Sequence, residues 1–221
     1  MNAKPRHVER ALHEPVEIVP YDPGWPALFA AEAEHLRALL PAVLIGRIEH
    51  FGSTAVPGLA AKPIVDMLLE VRSMEAVAQH IAPILKREGY EFFWRDRERG
   101  LPGIAYAWFI KRDAAGRRTH HIHCLEPGSA EWERLLFRDY LRAHPAAARS
   151  YGELKQRMAA EHPGDRVAYA KAKTDFIAAA MRAARRTSAI SRGDLLVRIA
   201  ARTGDRSRTP NCGTRACSSA R

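Results

Sequence analysis

Cysteine is scarce in this chain, with three thiols, Cys124, Cys212 and Cys217, among 221 residues. So few cannot build a disulfide framework, and the last two lack His or further Cys at zinc-ligand spacing, so no structural zinc is expected, and reduced, inert thiols are. Long apolar runs are also missing. No stretch approaches the ~18 residues that cross a bilayer, and no apolar segment of a signal peptide follows the opening MNAKPRHVER. These absences predict a cytoplasmic protein with no membrane partner. The Walker A spacing is absent as well, because five residues separate Gly52 from Gly58 where four are required, and Leu59 stands in the lysine's place. There is no G-x-G-x-x-G and no internal repeat.

At 47% hydrophobic residues the chain has enough apolar surface for a full core. Its formal charge of +10 is unevenly spread. Residues 182–221 hold ten Arg against Asp194 and Asp205, whereas residues 1–181 hold 25 basic and 23 acidic groups. A nearly neutral body predicts no specific reading of nucleic acid, and the basic tail predicts weak, nonspecific contact at most. The tail is rich in Arg, Ser, Thr and Gly and poor in large aromatics, a composition expected to stay disordered. The expected organisation is an N-terminal extension over 1–15, a folded domain over 16–185 and a basic tail over 186–221.

Within the body, VEIVPYDP reads as an extended entry, and apolar spacing from Trp25 to Leu40 predicts an amphipathic helix stopped by Pro41. Ile45 to Phe51 reads as a strand, and PIVDMLLEV as a strand buried on both faces. A helix between Ser73 and Gly89, a strand YEFFWR, and a hairpin of IAYAWFIKR and RTHHIHCLE across DAAG follow. Beyond Pro127 the pattern predicts three helices, SAEWERLLFRDYLRAH, AAARSYGELKQRMAAEH and GDRVAYAKAKTDFIAAAMRAARR. Trp94, Trp108 and Phe109 are expected in the core, and Trp132, Leu135 and Leu136 on the buried stripe of a helix.

The chemistry concentrates in GSTAVPGLAAKPIVDM, residues 52–67. Gly52 followed by Ser53 and Thr54 at a strand end suits a phosphate cradle, and equally a tight turn. Asp66 lies inside an apolar strand, where a carboxylate needs compensation. Mg²⁺ with a ligand's phosphates would supply it, as would backbone N–H groups or an arginine. Strand alternation puts His121 and His123 on one face and His120 on the other. The pair suits metal ligation, phosphate binding, acid–base work or plain hydrogen bonding within a polar sheet face. A histidine-triad hydrolase is excluded, since the third position is Leu125. Lys62 suits a phosphate or solvent. Arg138 and Arg142, and the i,i+4 pairs Tyr151 with Lys155 and Tyr169 with Lys173, suit helix faces that cover apolar surface.

Gly52-Ser53, twelve intervening residues and then Asp66 resemble the signature of the DNA polymerase beta-like nucleotidyltransferase superfamily. More closely, FGSTAVPGLAAKPIVDMLLEV, THHIHCLEPGS, LFRDYLRAHP and the segment from His162 to Lys173 together resemble the GrpB family, across Val16 to Arg182. A related domain is fused to dephospho-CoA kinase in some bacteria. The resemblance implies an α+β fold, a nucleotidyltransferase-like mixed sheet flanked by helices and followed by a C-terminal helical region. It implies Gly52, Ser53 and Thr54 gripping phosphate and Asp66 holding Mg²⁺, and it makes room for a basic helical wall, with Arg138 and Lys173, over a nucleotide or other phosphate-bearing small molecule. Read from the residues themselves, Lys62 suits neutralising a phosphate, and His121 or His123 suits replacing a missing acid or deprotonating an acceptor. Active members of the superfamily commonly carry a second acid two residues on, to hold two ions facing one way. Here that residue is Leu68, and Glu70, on the same face, is ~13 Å along the strand. Two functions follow: Mg²⁺-dependent transfer of a nucleoside monophosphate to an unidentified acceptor, or a phosphate-ligand-binding module that assists another enzyme, for example in coenzyme A metabolism.

Overall fold

Helix α1 (Trp25–Leu39) starts where Pro26 needs no amide partner and where Asp22 accepts from the Gly24 amide. It stops at Leu40, whose extended backbone is what a following proline demands. The structure, a computed structural model, describes residue 10 and residues 14–95 and 106–187. After α1 come strand β1 (Ile45–Phe51) and strand β2 (Val65–Val71). Helix α2 (residues 74–87) is capped by Ser73, whose hydroxyl accepts from the Ala76 amide at 3.0 Å, and it contains one wide π turn, Val77–Ile81. Strands β3 (Glu91–Arg95), β4 (Tyr106–Arg112) and β5 (Arg118–Leu125) follow, with β4 and β5 joined by the Asp113–Gly116 turn of the expected hairpin.

The sheet order is β1-β2-β5-β4-β3. Every pairing is antiparallel except β2 with β5, so the sheet is mixed, as expected of the α+β class. Alternation along β2 sends Val65, Met67, Leu69 and Val71 into the main core, where α1 and α2 cover that face. The opposite face carries Asp66, Leu68 and Glu70. There Leu68 packs fully buried with Phe51, Leu125 and Trp132, so β2 is buried on both faces, as its apolar run predicts. The remaining helices are α3 (Arg134–Ala143), α4 (Pro145–Glu161), α5 (Arg166–Lys171) and α6 (residues 174–187).

Four expectations are corrected. Trp94 is 38% exposed and Trp108 half-buried, stacked with Phe93 at a ring separation of 5.0 Å; only Phe109 is in the core. Both tryptophans belong to the outer half of the sheet, where a broad aromatic face suffices for cross-strand packing. Trp132 is buried but sits in a 3-10 turn (Ala130–Glu133) that precedes α3, and Leu135 and Leu136 are only half-buried. The last predicted helix is broken by a turn at Ala172 and Lys173 into α5 and α6. Chain contacts separate Met1–Arg182, which holds the sheet, from Ala183–Arg221. The extension expected over 1–15 and the tail expected over 186–221 lie almost entirely outside the described residues. No helix among the described residues is long and apolar enough to cross a membrane.

Candidate functional site

At the end of β1 the chain turns at Gly52, with φ 73° and ψ −170°, into a 3-10 turn, Ser53–Ala55. An L side chain rarely adopts this backbone. Space demands glycine as well: a Cβ on Gly52 would lie 2.6 Å from Asp66 Oδ2 and 3.1 Å from Asp66 Cβ. The bend therefore passes directly against the carboxylate, which the β1–β2 register brings opposite Phe51.

On its other side β2 pairs in parallel with β5, which sets Asp66 beside His121 and Leu68 beside His123. His121 Nδ1 is 3.3 Å and His123 Nε2 3.9 Å from Asp66 Oδ1. Burial pushes the Asp66 carboxyl up, but its interactions with the two neighbouring histidines outweigh this and hold the group well below the usual carboxylate range. Burial, partly offset by Asp66, pushes His121 down to about 4, and it pushes His123 down as well. The centre at neutral pH is thus one anion beside two neutral imidazoles. His120 faces the other side of the sheet, buried, with its Nδ1 3.0 Å from the Thr119 hydroxyl.

Behind His123 stand groups that the sequence did not single out. Tyr106 Oη is hydrogen-bonded to His123 Nδ1, and Arg134 Nη1 donates to the same phenol at 3.1 Å while Nη2 pairs with Glu131. Burial pushes the Tyr106 phenol up to about 12. Glu131 and Arg134 carry only an i,i+3 charge signal at a helix start, and nothing in their periodicity points to β4 or β5.

In front of Asp66 opens a cavity of about 450 Å³ lined by Gly52, Ser53, Thr54, Lys62 and Asp66, by Lys155 and Lys173, and by Phe137, Tyr151, Tyr169 and Ile177. The Thr54 hydroxyl is 3.0 Å from His50 Nε2, which holds the turn to β1. Lys155 is 2% exposed; its ammonium donates to the Ala60 carbonyl and lies 4.9 Å from the Tyr151 ring. Lys173 Nζ and Lys62 Nζ lie 4.0 and 5.6 Å from the Tyr169 ring. Burial, then the neighbouring lysines, push Lys155 and Lys173 down to about 7. Three amines thus crowd one cavity. The Tyr169–Lys173 and Tyr151–Lys155 spacings signalled helix faces and gave no sign that both faces converge here.

Of the expected site residues, the structure brings Gly52, Ser53, Thr54, Lys62, Asp66 and Lys173 to the cavity, with His121 and His123 directly behind Asp66. Arg138 is elsewhere: its guanidinium is held by Asp139 at 2.7 Å, Glu49 at 3.0 Å and the His50 carbonyl at 2.8 Å. Arg142 donates to the Ala55 carbonyl at 2.8 Å, bracing the phosphate-loop candidate from behind.

Among the described residues, Asp66, His121 and His123 form a group of three side chains with ligand atoms within 4.8 Å of one another. A two-ion Mg²⁺ site does not fit. Leu68 is packed beneath Trp132, and Glu70 pairs with Arg47 at 3.0 Å. Asp66 lines the cavity and so matches the protein side of a single-ion arrangement, in which Mg²⁺ takes one or two carboxylates plus substrate phosphates and water.

The family model described as GrpB protein matches residues 15–183. The chain is 42% identical over 172 residues to UPF0157 protein YqkA of Bacillus subtilis, covering 77% of this chain and 48% of that protein. It is 29% identical over 202 residues to a dephospho-CoA kinase of Mycolicibacterium paratuberculosis, covering 83% of this chain and 48% of the kinase. The chain thus spans about half the length of both relatives. The crystal structure of conserved protein GrpB from Enterococcus faecalis is 37% identical with a TM-score of 0.65, covering 78% of this chain and 99% of that one. A family match across most of the chain, reached from blocks that include the Gly52 bend, Asp66 and the β5 histidines, places this protein in the GrpB family.

Proposed function

We propose that the cavity binds a small molecule bearing phosphate groups, a nucleotide foremost, with one Mg²⁺ ion between Asp66 and those phosphates. The observation that carries this reading is the convergence, in one cavity, of the Gly52–Thr54 bend, the Asp66 carboxylate beside it and three lysines. Backbone amides at the bend and the Ser53 hydroxyl suit phosphate oxygens. Lys62, Lys155 and Lys173 balance the remaining charge, and Tyr151, Tyr169, Phe137 and Ile177 offer an apolar wall for a base or other flat group. When bound, the ion would neutralise phosphate charge and polarise its oxygens.

Whether the bound ligand reacts divides two readings. Transfer of a nucleoside monophosphate from a nucleoside triphosphate to a small-molecule or protein acceptor, with pyrophosphate leaving as the α–β phosphoanhydride bond breaks, requires Asp66 to hold the ion and a nearby group to take the acceptor's proton. The alternative, a binding module that assists another enzyme, is favoured by Leu68 in place of the second acid and accords with the kinase relative, in which a matching segment forms part of a longer protein. A thermal-shift panel of nucleotides and coenzyme A precursors, with and without Mg²⁺, tests binding. At least one phosphate compound is expected to raise the melting temperature, and Asp66→Ala to remove the Mg²⁺-dependent part. No stabilisation by any phosphate compound would end both readings. Nucleotide consumption with Mg²⁺ separates transfer from binding alone.

A further inference from the structure

Asp66, His121 and His123 have the spacing of a metal centre, but the hydrogen bonds around them assign the protons. Arg118 Nη1 lies 3.3 Å from His121 Nε2. A guanidinium only donates, so this nitrogen presents its lone pair and the ring proton sits on Nδ1. That atom is the one 3.3 Å from Asp66 Oδ1. On the other side Arg134 donates to Tyr106 Oη at 3.1 Å, and the same phenol meets His123 Nδ1. With its oxygen accepting from arginine, the phenol directs its proton to Nδ1. The His123 proton then sits on Nε2, facing Asp66 Oδ1 at 3.9 Å, longer than a hydrogen bond.

We infer that His121 and His123 are a two-sided clamp on the Asp66 carboxylate and not ligands of a cation, with Arg118, Tyr106 and Arg134 as the positioning residues that lock each ring in its donating form. A metal ligand must offer a lone pair, so an ion bound between all three side chains would need both rings reversed. Reversal of His121 would set an N–H against the Arg118 guanidinium. Oδ1 is engaged by the imidazoles and Oδ2 lies on the Gly52 side, so Asp66 offers an incoming ligand or ion one oxygen. The inference rests on the hydrogen bonds alone and can fail independently of the ligand proposed above.

Nitrogen-15 NMR of histidine-labelled protein, with Zn²⁺ as the probe ion, tests it. The expected result is His121 protonated on Nδ1 and His123 on Nε2, both unchanged by one equivalent of Zn²⁺. Arg118→Met is expected to release His121 into a mixture of forms. Since Arg118 also pairs with Glu14, Tyr106→Phe serves as a second variant, expected to release His123 alone. Reversed ring forms in the unaltered protein, Zn²⁺ moving those two nitrogens to metal-bound shifts, or ring forms indifferent to both substitutions would overturn the inference.

Discussion

Gly52 and Asp66 constrain each other. The bend approaches the carboxylate so closely that Gly52→Ala must either push Asp66 off its imidazoles or shift the loop, and it also forces an alanine to φ 73°. A loss of about 1–3 kcal/mol is expected, read by chemical denaturation, together with loss of any Mg²⁺-dependent thermal shift. The lysines make a separate prediction. Lys155 and Lys173 titrate near 7 in the folded chain, against 10.5 for an ordinary lysine. Between about pH 7 and 10 the unfolded chain therefore holds more protons than the folded one, so their contribution to stability rises with pH through that window. Below 7 the amines are charged in both states and the burial penalty is fully present. An anion that pairs with them reverses the preference. Sulfate, whose charge is constant over this range, is expected to raise the melting temperature more at pH 6 than at pH 9. Lys155→Met is expected to flatten that difference, and equal shifts at both pH values would refute the account.

Among the elements, β2 explains both what the sequence discloses and what it hides. Its apolar run announces a strand buried on both faces, and that is the structure; the glycine-serine bend before it and Asp66 within it draw attention to the place but read equally as a turn and a paired buried acid. Leu68 illustrates the hidden part. As a letter it is a missing second acid, whereas in the fold it is a packing residue sealed by Phe51, Leu125 and Trp132. Leu68→Asp is therefore expected not to create a two-ion site but to cost on the order of 3–5 kcal/mol by burying a carboxylate in a dry cluster, visible as a large fall in melting temperature that Mg²⁺ does not restore. The stretches forming α4 to α6 are legible as helical, though not the break between α5 and α6, and it is the family resemblance, not their spacing, that sets Lys173 beside the ligand. Local spacing places Tyr151 and Lys155 on one side of α4 and stops there, because only tertiary packing decides what that side meets. Arg138 failed for the converse reason: its charge suits phosphate, but Glu49 and Asp139 claim it first.

At the scale of the whole molecule, charge and chemistry are segregated. The nearly neutral body contains the cavity, whereas the Arg-rich sequence beyond residue 187 lies outside the described residues. Deleting residues 188–221 is expected to abolish salt-sensitive retention on heparin or DNA while the response to phosphate ligands is unchanged; a lost ligand response would tie the tail to the site. The sheet itself has a two-part construction. β1 with β2, and β3 with β4 and β5, are each antiparallel sets, and the one parallel pairing among the described residues, β2 with β5, is the seam between them. Asp66 belongs to one set and its histidines to the other. Closing that seam joins segments more than fifty positions apart in the chain, a slow kind of contact to make. Asp66 therefore gains its histidine neighbours only when the two halves meet, so a partly assembled chain holds that carboxylate without the imidazoles that stand beside it in the finished fold.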